Sequence, residues 1–167
     1  GVNVAAGDIN ADGLDDLIVA AGPGAGPHVK VFADGQSSSV IRSFFAFDPG
    51  FNGGVNVASG DLNGDGTDDI LTAAGPGSGP NVRAFSGSDG SVLASFFAYD
   101  PGYRGGVHLA GGDYDGDGLF DLYTAPAGGT SADVRRFNFN TGQPTTTTED
   151  FFAFDPSFLG GASIALS

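Results

Sequence analysis

The chain has 167 residues, 40% of them apolar, which is enough to bury the core of one ordinary domain and argues against disorder. Its 30 Gly and 9 Pro point to many turns and short elements rather than long helices. A net charge of −14, with Lys30, Arg42, Arg83, Arg104, Arg135 and Arg136 as the only basic residues, excludes the basic stripe that a nucleic-acid binder needs and disfavours an anionic membrane surface as partner. No stretch approaches the ~18 apolar residues of a bilayer span, so membrane insertion is not expected. With no cysteine there is no disulfide framework.

In chain order, the first unit offers four short apolar segments: Val2–Ala6, Leu17–Ala21, His28–Phe32 and Val40–Phe47. Each is rich in Val, Ile or Phe and bounded by Gly, Pro, Asp or Ser, the pattern of strands separated by turns. A Gly–Pro stretch, Gly22–Pro27, lies between the second and third segments, and Gly75–Pro80 takes the same place further on. The unit then repeats. GVNVAAGDIN from Gly1 returns as GVNVASGDLN from Gly54 and GVHLAGGDYD from Gly106, and FFAFDPGFNGG from Phe44 returns from Phe96 and Phe151, 52 and then 55 residues on. The third unit follows the same plan over Val107–Ala110, Leu122–Ala125, Val134–Phe139 and Phe151–Phe154, but it lacks the Gly–Pro turn. Its third-to-fourth connection, Asn140–Asp150, is longer, and the Thr145–Thr148 run within it is expected to be a solvated loop and a candidate for O-glycosylation.

A period near 50 residues with four strands per unit fits propeller blades. The expected fold is all-β: three four-stranded antiparallel blades at residues 1–53, 54–105 and 106–160. Residues 161–167 (GASIALS) supply one extra C-terminal strand, the first of an incomplete fourth repeat. No window sustains a 3.6-residue apolar period, so helices should be nearly absent. Three blades are too few for a conventional ring. The blade set is therefore expected to be completed by self-association, as a homo-oligomer or polymer, or by a longer parent chain, and a start at Gly1 inside a repeat reads as a processed or excised piece.

One acidic loop follows the first strand of every unit, and all three fit D-x-[DN]-x-D-G-x-x-D: from Asp8 to Asp16, from Asp61 to Asp69 and from Asp113 to Asp121. Calcium takes six to eight oxygen ligands, and side chains at positions 1, 3 and 5 of a tightly curled loop can converge on one ion. Gly at position 6 supplies the turn, the position 7 carbonyl faces the ion, and Asp at position 9 closes the shell. Without a cation, four carboxylates in nine residues would repel one another. Magnesium demands tighter octahedral geometry, and zinc would call for His or Cys, which the loops lack. The loops hold twelve of the twenty acidic residues, so three Ca²⁺, one per repeat, would remove six negative charges and bring −14 to −8. They are not EF-hands, because position 12 is Val19, Thr72 or Thr124 rather than Glu and β-branched segments follow where helices would be needed.

The run G-V-x-[VL]-A-x-G-D-x-[ND]-x-D-G-x-x-D-[IL], followed in two units by a Gly–Pro turn, resembles the FG-GAP repeat of integrin α-subunits and, more closely, bacterial tandem FG-GAP/VCBS-like arrays. The resemblance covers essentially the whole chain. It implies a β-propeller with one Ca²⁺ between the first and second strands of each blade. Carried over residue by residue, the implied ligands are Asp8, Asn10, Asp12, the Leu14 carbonyl and Asp16; Asp61, Asn63, Asp65, the Thr67 carbonyl and Asp69; and Asp113, Asp115, Asp117, the Leu119 carbonyl and Asp121.

Three further residue sets carry weaker signals. His28 shares its register with Asn81 and Asp133, and His108 with Asn3 and Asn56, which reads as an exposed strand or turn position rather than a catalytic one. Asp48, Asp100 and Asp155, each before a Pro, read as turn residues bonding local backbone. Of the pairs Phe44/Phe45, Phe96/Phe97 and Phe151/Phe152, one ring of each should lie between blades, since strand neighbours face opposite sides. The function expected is a non-enzymatic, secreted or cell-surface calcium-binding scaffold for adhesion, surface structure or self-assembly, with an extracellular protein or a glycan as ligand. The alternatives are a lectin-like propeller using inter-blade aromatic pockets and a polysaccharide-degrading enzyme domain, the second disfavoured by a single Glu (Glu149) and two dissimilar His sites.

Overall fold

A computed structural model describes all residues except 37, 115, 117–119, 141–142, 147–149 and 166–167. In the first unit, β1 (Val2–Gly7), β2 (Asp16–Ala21), β3 (His28–Phe32) and β4 (Val40–Phe45) form an antiparallel sheet in sequence order. The second repeats it with β5 (Val55–Gly60), β6 (Asp69–Ala74), β7 (Asn81–Phe85) and β8 (Val92–Phe97). Registers repeat too: Val4 opposes Val19 as Val57 opposes Thr72. The one helical feature among the described residues is a 3-10 turn at Ala33–Gly35. No described helix is long and apolar enough to cross a membrane.

The third sheet contains β9 (Val107–Gly112), β10 (Asp121–Pro126), β11 (Asp133–Asn140), β12 (Gln143–Thr146) and β13 (Phe151–Phe152). Here the structure corrects two expectations. The fourth strand is not Phe151–Phe154 alone: β12 pairs with the second half of β11 and β13 with its first half, so two short strands share one edge. Part of the expected solvated loop is therefore strand, because Thr145 and Thr146 are β-branched and pair opposite Asn138 and Phe137. Gln143 ties β12 to the preceding blade by donating to the Leu93 carbonyl at 2.7 Å. Thr147 and Thr148 lie outside the described residues.

Each fourth strand runs into an Asp–Pro turn, where Asp48, Asp100 and Asp155 accept from the N–H two residues on at 2.8, 2.7 and 2.9 Å. The chain then reaches the next inner strand, and β1, β5 and β9 lie side by side across the blades. Residues 161–165 take the corresponding fourth place. Ser163 and Ile164 share the lining of a cleft with Val2, Val57 and Leu109, and Gly161 abuts Ala127 as Gly54 abuts Gly22 and Gly106 abuts Gly75. Residues 161–165 have the place of a strand but not its ladder, since a first strand pairs with the second strand of its own blade.

Blades pack face to face through two apolar clusters. Ile18, Val29 and Val31 of the first blade meet Val55, Ile70 and Phe85 of the second; Leu71, Val82 and Ala84 of the second meet Val107, Leu122 and Phe137 of the third. Phe44 turns inward onto Phe85 with ring centroids 4.8 Å apart, and Phe96 onto Phe137 at 5.0 Å, while their neighbours Phe45 and Phe97 face solvent. Being covered on both sides leaves every residue of β6 buried, whereas β2 buries only alternate residues fully. Leu71→Ala is expected to lower the unfolding free energy by about 2–5 kcal/mol in a urea melt, as a large-to-small change between two blades. The exposed Val92→Thr should move it by no more than about 0.5 kcal/mol.

Candidate metal centre

The acidic loops join inner to second strand in every blade, and their curl comes from aspartate and asparagine oxygens accepting backbone N–H groups. In the first loop Asp8 accepts from Asp12 (3.1 Å) and Gly13 (2.8 Å), Asn10 from Asp12 (2.9 Å), and Asp12 from Leu14 (3.0 Å). The second loop repeats the pattern: Asp61 accepts from Asp65 (3.2 Å) and Gly66 (2.8 Å), Asn63 from Asp65 (2.9 Å), and Asp65 from Thr67 (2.9 Å). Positions 1, 3 and 5 thus line the inside of one turn in both loops. Position 4 is left-handed: Gly64 has φ 75°, and Ala11 is held at φ 58°, where an L side chain costs energy.

Position 9 is different in kind. Asp16 and Asp69 are fully buried, and each joins three parts of its blade. One oxygen accepts from the loop's second residue, Ile9 or Leu62, at 3.0 Å; the other accepts from the turn after the third strand, Asp34 N–H at 3.1 Å or Gly87 N–H at 3.0 Å. Among the described residues no basic side chain pairs with either. Burial pushes the Asp69 carboxyl up to about 6, against the pull of its two backbone donors and with Asp65 and Asp61 adding to the rise. In the third blade Asp113 accepts from Gly116 (2.8 Å) and Asp121 from Tyr114 (3.1 Å). Asp121 additionally holds Arg136 through two contacts of 2.9 Å, so this buried carboxylate has its own counter-ion. Asp115, Asp117 and Leu119 lie outside the described residues.

Among the described residues, no three Asp, Glu or His side chains are gathered into a ready ion cage. The donor set nevertheless suits a hard cation. Every side-chain candidate is an oxygen, a carboxylate that caps an N–H keeps lone pairs to offer, and two loops end in a buried carboxylate with no basic partner. The residues that could hold the ion in the first two loops are Asp8, Asn10, Asp12 and Asp16, and Asp61, Asn63, Asp65 and Asp69, with the Leu14 and Thr67 carbonyls at position 7.

The loops also touch one another. Asp68 donates its N–H to the Asp8 carbonyl at 2.9 Å and accepts the Asp8 N–H at 3.0 Å. Phe120 takes that position in the third unit and packs so closely over Gly60 and Gly111 that a Cβ at either would lie 2.0 Å from its ring.

Two sets of inter-blade polar contacts went unread in the sequence. Asn3 donates to the Val55 carbonyl (2.7 Å) and Asn56 to the Val107 carbonyl (2.6 Å), so the slot taken for an exposed position is a partly buried link between inner strands. Arg83 reaches back to the Ala46 carbonyl (2.9 Å) over the Phe47 ring, and Arg135 to the Ala98 carbonyl (2.8 Å) over the Tyr99 ring. The signal was present as Lys30, Arg83 and Arg135 in one register. His28 bonds Ser43 at 2.9 Å and stacks near Phe45.

Four-stranded antiparallel blades in tandem, each with an acidic loop between its inner and second strands, define the protein as an all-β array of propeller blades. Residues 1–39 and 53–93 match the FG-GAP repeat, so the first two units are FG-GAP repeats. No curated protein matches the chain. Among solved structures the fold is similar to rhamnogalacturonan lyase YesW (TM-score 0.60, 12% identity, 93% of this chain and 34% of that one). It is also similar to the exotype rhamnogalacturonan lyase YesX (TM-score 0.57, 16% identity, 86% and 32%) and to the Bacillus licheniformis rhamnogalacturonan lyase PL11 (TM-score 0.58, 14% identity, 93% and 34%). The chain spans about a third of the length of these proteins, and at such identities the likeness is one of fold.

Two predictions follow from the loops. A carboxyl whose folded pKa is raised takes up a proton on folding between its unfolded and folded values, so its contribution is complete below about 4 and is lost as pH rises through about 6. In chelator, the unfolding free energy should therefore fall between about pH 4 and 6, and Asp69→Asn should flatten that slope. Separately, Ala11→Gly should raise stability by roughly 0.5–1 kcal/mol in a denaturant titration, relief of left-handed strain outweighing the added freedom of the unfolded chain.

Proposed function

We propose that this protein is a non-enzymatic, calcium-stabilised propeller scaffold that works outside the cell in adhesion, surface structure or assembly. The observation that carries the reading is the pair of buried, cation-less carboxylates Asp16 and Asp69, each closing a loop whose other oxygens already face inward. A divalent ion at each loop would neutralise that buried charge and cross-link the strands the aspartate already joins. Extracellular calcium modules bind at ~10⁻⁴–10⁻³ M, an affinity matched to calcium levels outside the cell. The scaffold reading is favoured over catalysis because several of the partly buried polar side chains, Asn3, Asn56, Arg83 and Arg135, bond across the blade joints. Among the described residues no carboxylate bonds the exposed His28–Ser43 pair, so no orienting third group of a hydrolytic triad is seen there.

The test is thermal unfolding with and without calcium. At ~10 mM Ca²⁺ and the affinities above, each occupied loop should add about 1.4–2.7 kcal/mol. The double variant Asp61→Ala/Asp65→Ala should lose the share belonging to the second loop. A melting temperature indifferent to calcium and to chelator would remove calcium from the proposal, and turnover of a pectic polysaccharide by the purified chain would replace the scaffold with an enzyme.

A further inference from the structure

The backbone at the start of the first acidic loop is held by the repeat that follows it. The β1–β2 ladder ends at the Gly7–Asp16 pair, so Asp8, the loop's first oxygen donor, lies one residue beyond its own sheet. Asp68 of the second blade donates its N–H to the Asp8 carbonyl at 2.9 Å, and its carboxylate accepts the Asp8 N–H at 3.0 Å. One residue thus engages both polar groups of the Asp8 backbone. Beside it, Ser59 donates its hydroxyl to the Ala6 carbonyl at 2.5 Å. The approach depends on Gly7 having no side chain, because a Cβ there would lie 2.6 Å from Asp68 Oδ2 and 2.8 Å from Ser59 Oγ.

What is fixed there is the aim of a side chain. Asp8 offers one carboxylate oxygen to the Asp12 N–H and the other to the Gly13 N–H, the contacts that curl the loop around its remaining oxygens. A backbone clamped at both N–H and carbonyl leaves that carboxylate few directions, and a ligand already in place costs less to order when an ion arrives. The next residue, Asp69, closes the second loop. Two consecutive residues therefore serve different loops, Asp68 the one in the preceding blade and Asp69 its own. The joint between the second and third blades is built otherwise: Phe120 stands in the Asp68 position, and its ring offers no carboxylate to an N–H and packs over Gly60.

We infer that Asp68 is a positioning residue for the calcium loop of the preceding blade: it aims Asp8 without being a ligand of either loop, and it makes calcium binding at the first loop depend on the joint with the second blade. The inference rests on the calcium reading of the loops. By linkage the dependence runs both ways, so an ion in the first loop strengthens the joint between the first two blades. The second loop, met by Phe120, takes no carboxylate from that position of the next repeat.

The test is a calcium titration of the full chain followed by NMR at the amides of Gly13 and Gly66, which donate to Asp8 and Asp61 at 2.8 Å each and so report the two loops separately. Asp68→Asn keeps an oxygen for the Asp8 N–H and removes the charge, whereas Asp68→Ala removes both. The charge lies beside both loops, so its loss weakens both, while loss of the acceptor weakens only the first. Calcium should therefore bind the first loop about tenfold more weakly in Asp68→Ala than in Asp68→Asn, with the second loop alike in the two. Gly7→Ala, which displaces the carboxylate but keeps its charge, should weaken the first loop by a similar factor and add little in the Asp68→Ala background. Equal first-loop affinity in the two Asp68 variants overturns the inference, as does a second loop that weakens in step with the first. If either Asp68→Ala or Gly7→Ala fails to fold, the other decides alone by whether the first loop weakens and the second does not. Calcium that moves neither amide in the unaltered chain removes the calcium reading and the inference together; a response at both amides with no difference between the Asp68 variants removes the inference only.

Discussion

An ionised carboxylate placed in a protein core has to be surrounded by donors, and in each blade one aspartate satisfies that demand by drawing three strands together. Asp16 and Asp69 bind the start of their own loop and the turn beyond the third strand, so the hairpins of a blade are fixed relative to one another by a single side chain. At Asp69 the donors are backbone N–H groups, and burial raises its carboxyl all the same. The third blade meets the same demand differently. Arg136 replaces the Val31 and Ala84 of the other units and gives Asp121 an internal counter-ion. Three loops of one sequence pattern are thus electrostatically two kinds: two whose buried carboxylate is met by hydrogen-bond donors alone, and one whose carboxylate is paired with an arginine.

Around this polar frame the packing is nearest-neighbour, as in repeat proteins generally. Each blade contributes the same positions to the joint before it and the joint after it, and only the middle blade has both satisfied, which is why β6 is buried throughout. The polar links across the joints recur with the same spacing, from inner-strand asparagine to the next inner strand and from third-strand arginine to the preceding turn. The joints therefore have an orientation as well as an apolar surface, and that orientation distinguishes one end of the array from the other.

Most of the blade plan was legible from repetition. GVNVA, DLIVAAG and FFAFDP each recur in register, and strand periodicity with Asp–Pro and Gly–Pro punctuation placed the strands within a residue or two. Where the third unit departs from the pattern, legibility failed. A run of threonines between polar residues has the composition of a loop, yet β12 forms because the outer edge of β11 offers unpaired backbone and Gln143 finds an acceptor on the neighbouring blade. The Asn3–Asn56 link was hidden for another reason. A polar residue on a short strand reads as solvent-facing until the inner strands are seen to lie side by side, and that proximity is set by how blades pack, which no local pattern encodes.

The two internal joints are built from different contacts. Between the second and third blades, Phe120 and Phe139 add aromatic bulk and Tyr99 bonds the Asp133 carbonyl at 2.8 Å. Between the first and second, the place of Phe120 is held by Asp68, whose link to Asp8 is polar and carries like charges toward each other. The joint between the first and second blades therefore depends more on polar contacts, and that between the second and third more on aromatic packing, so salt, which screens charge, acts on the two differently.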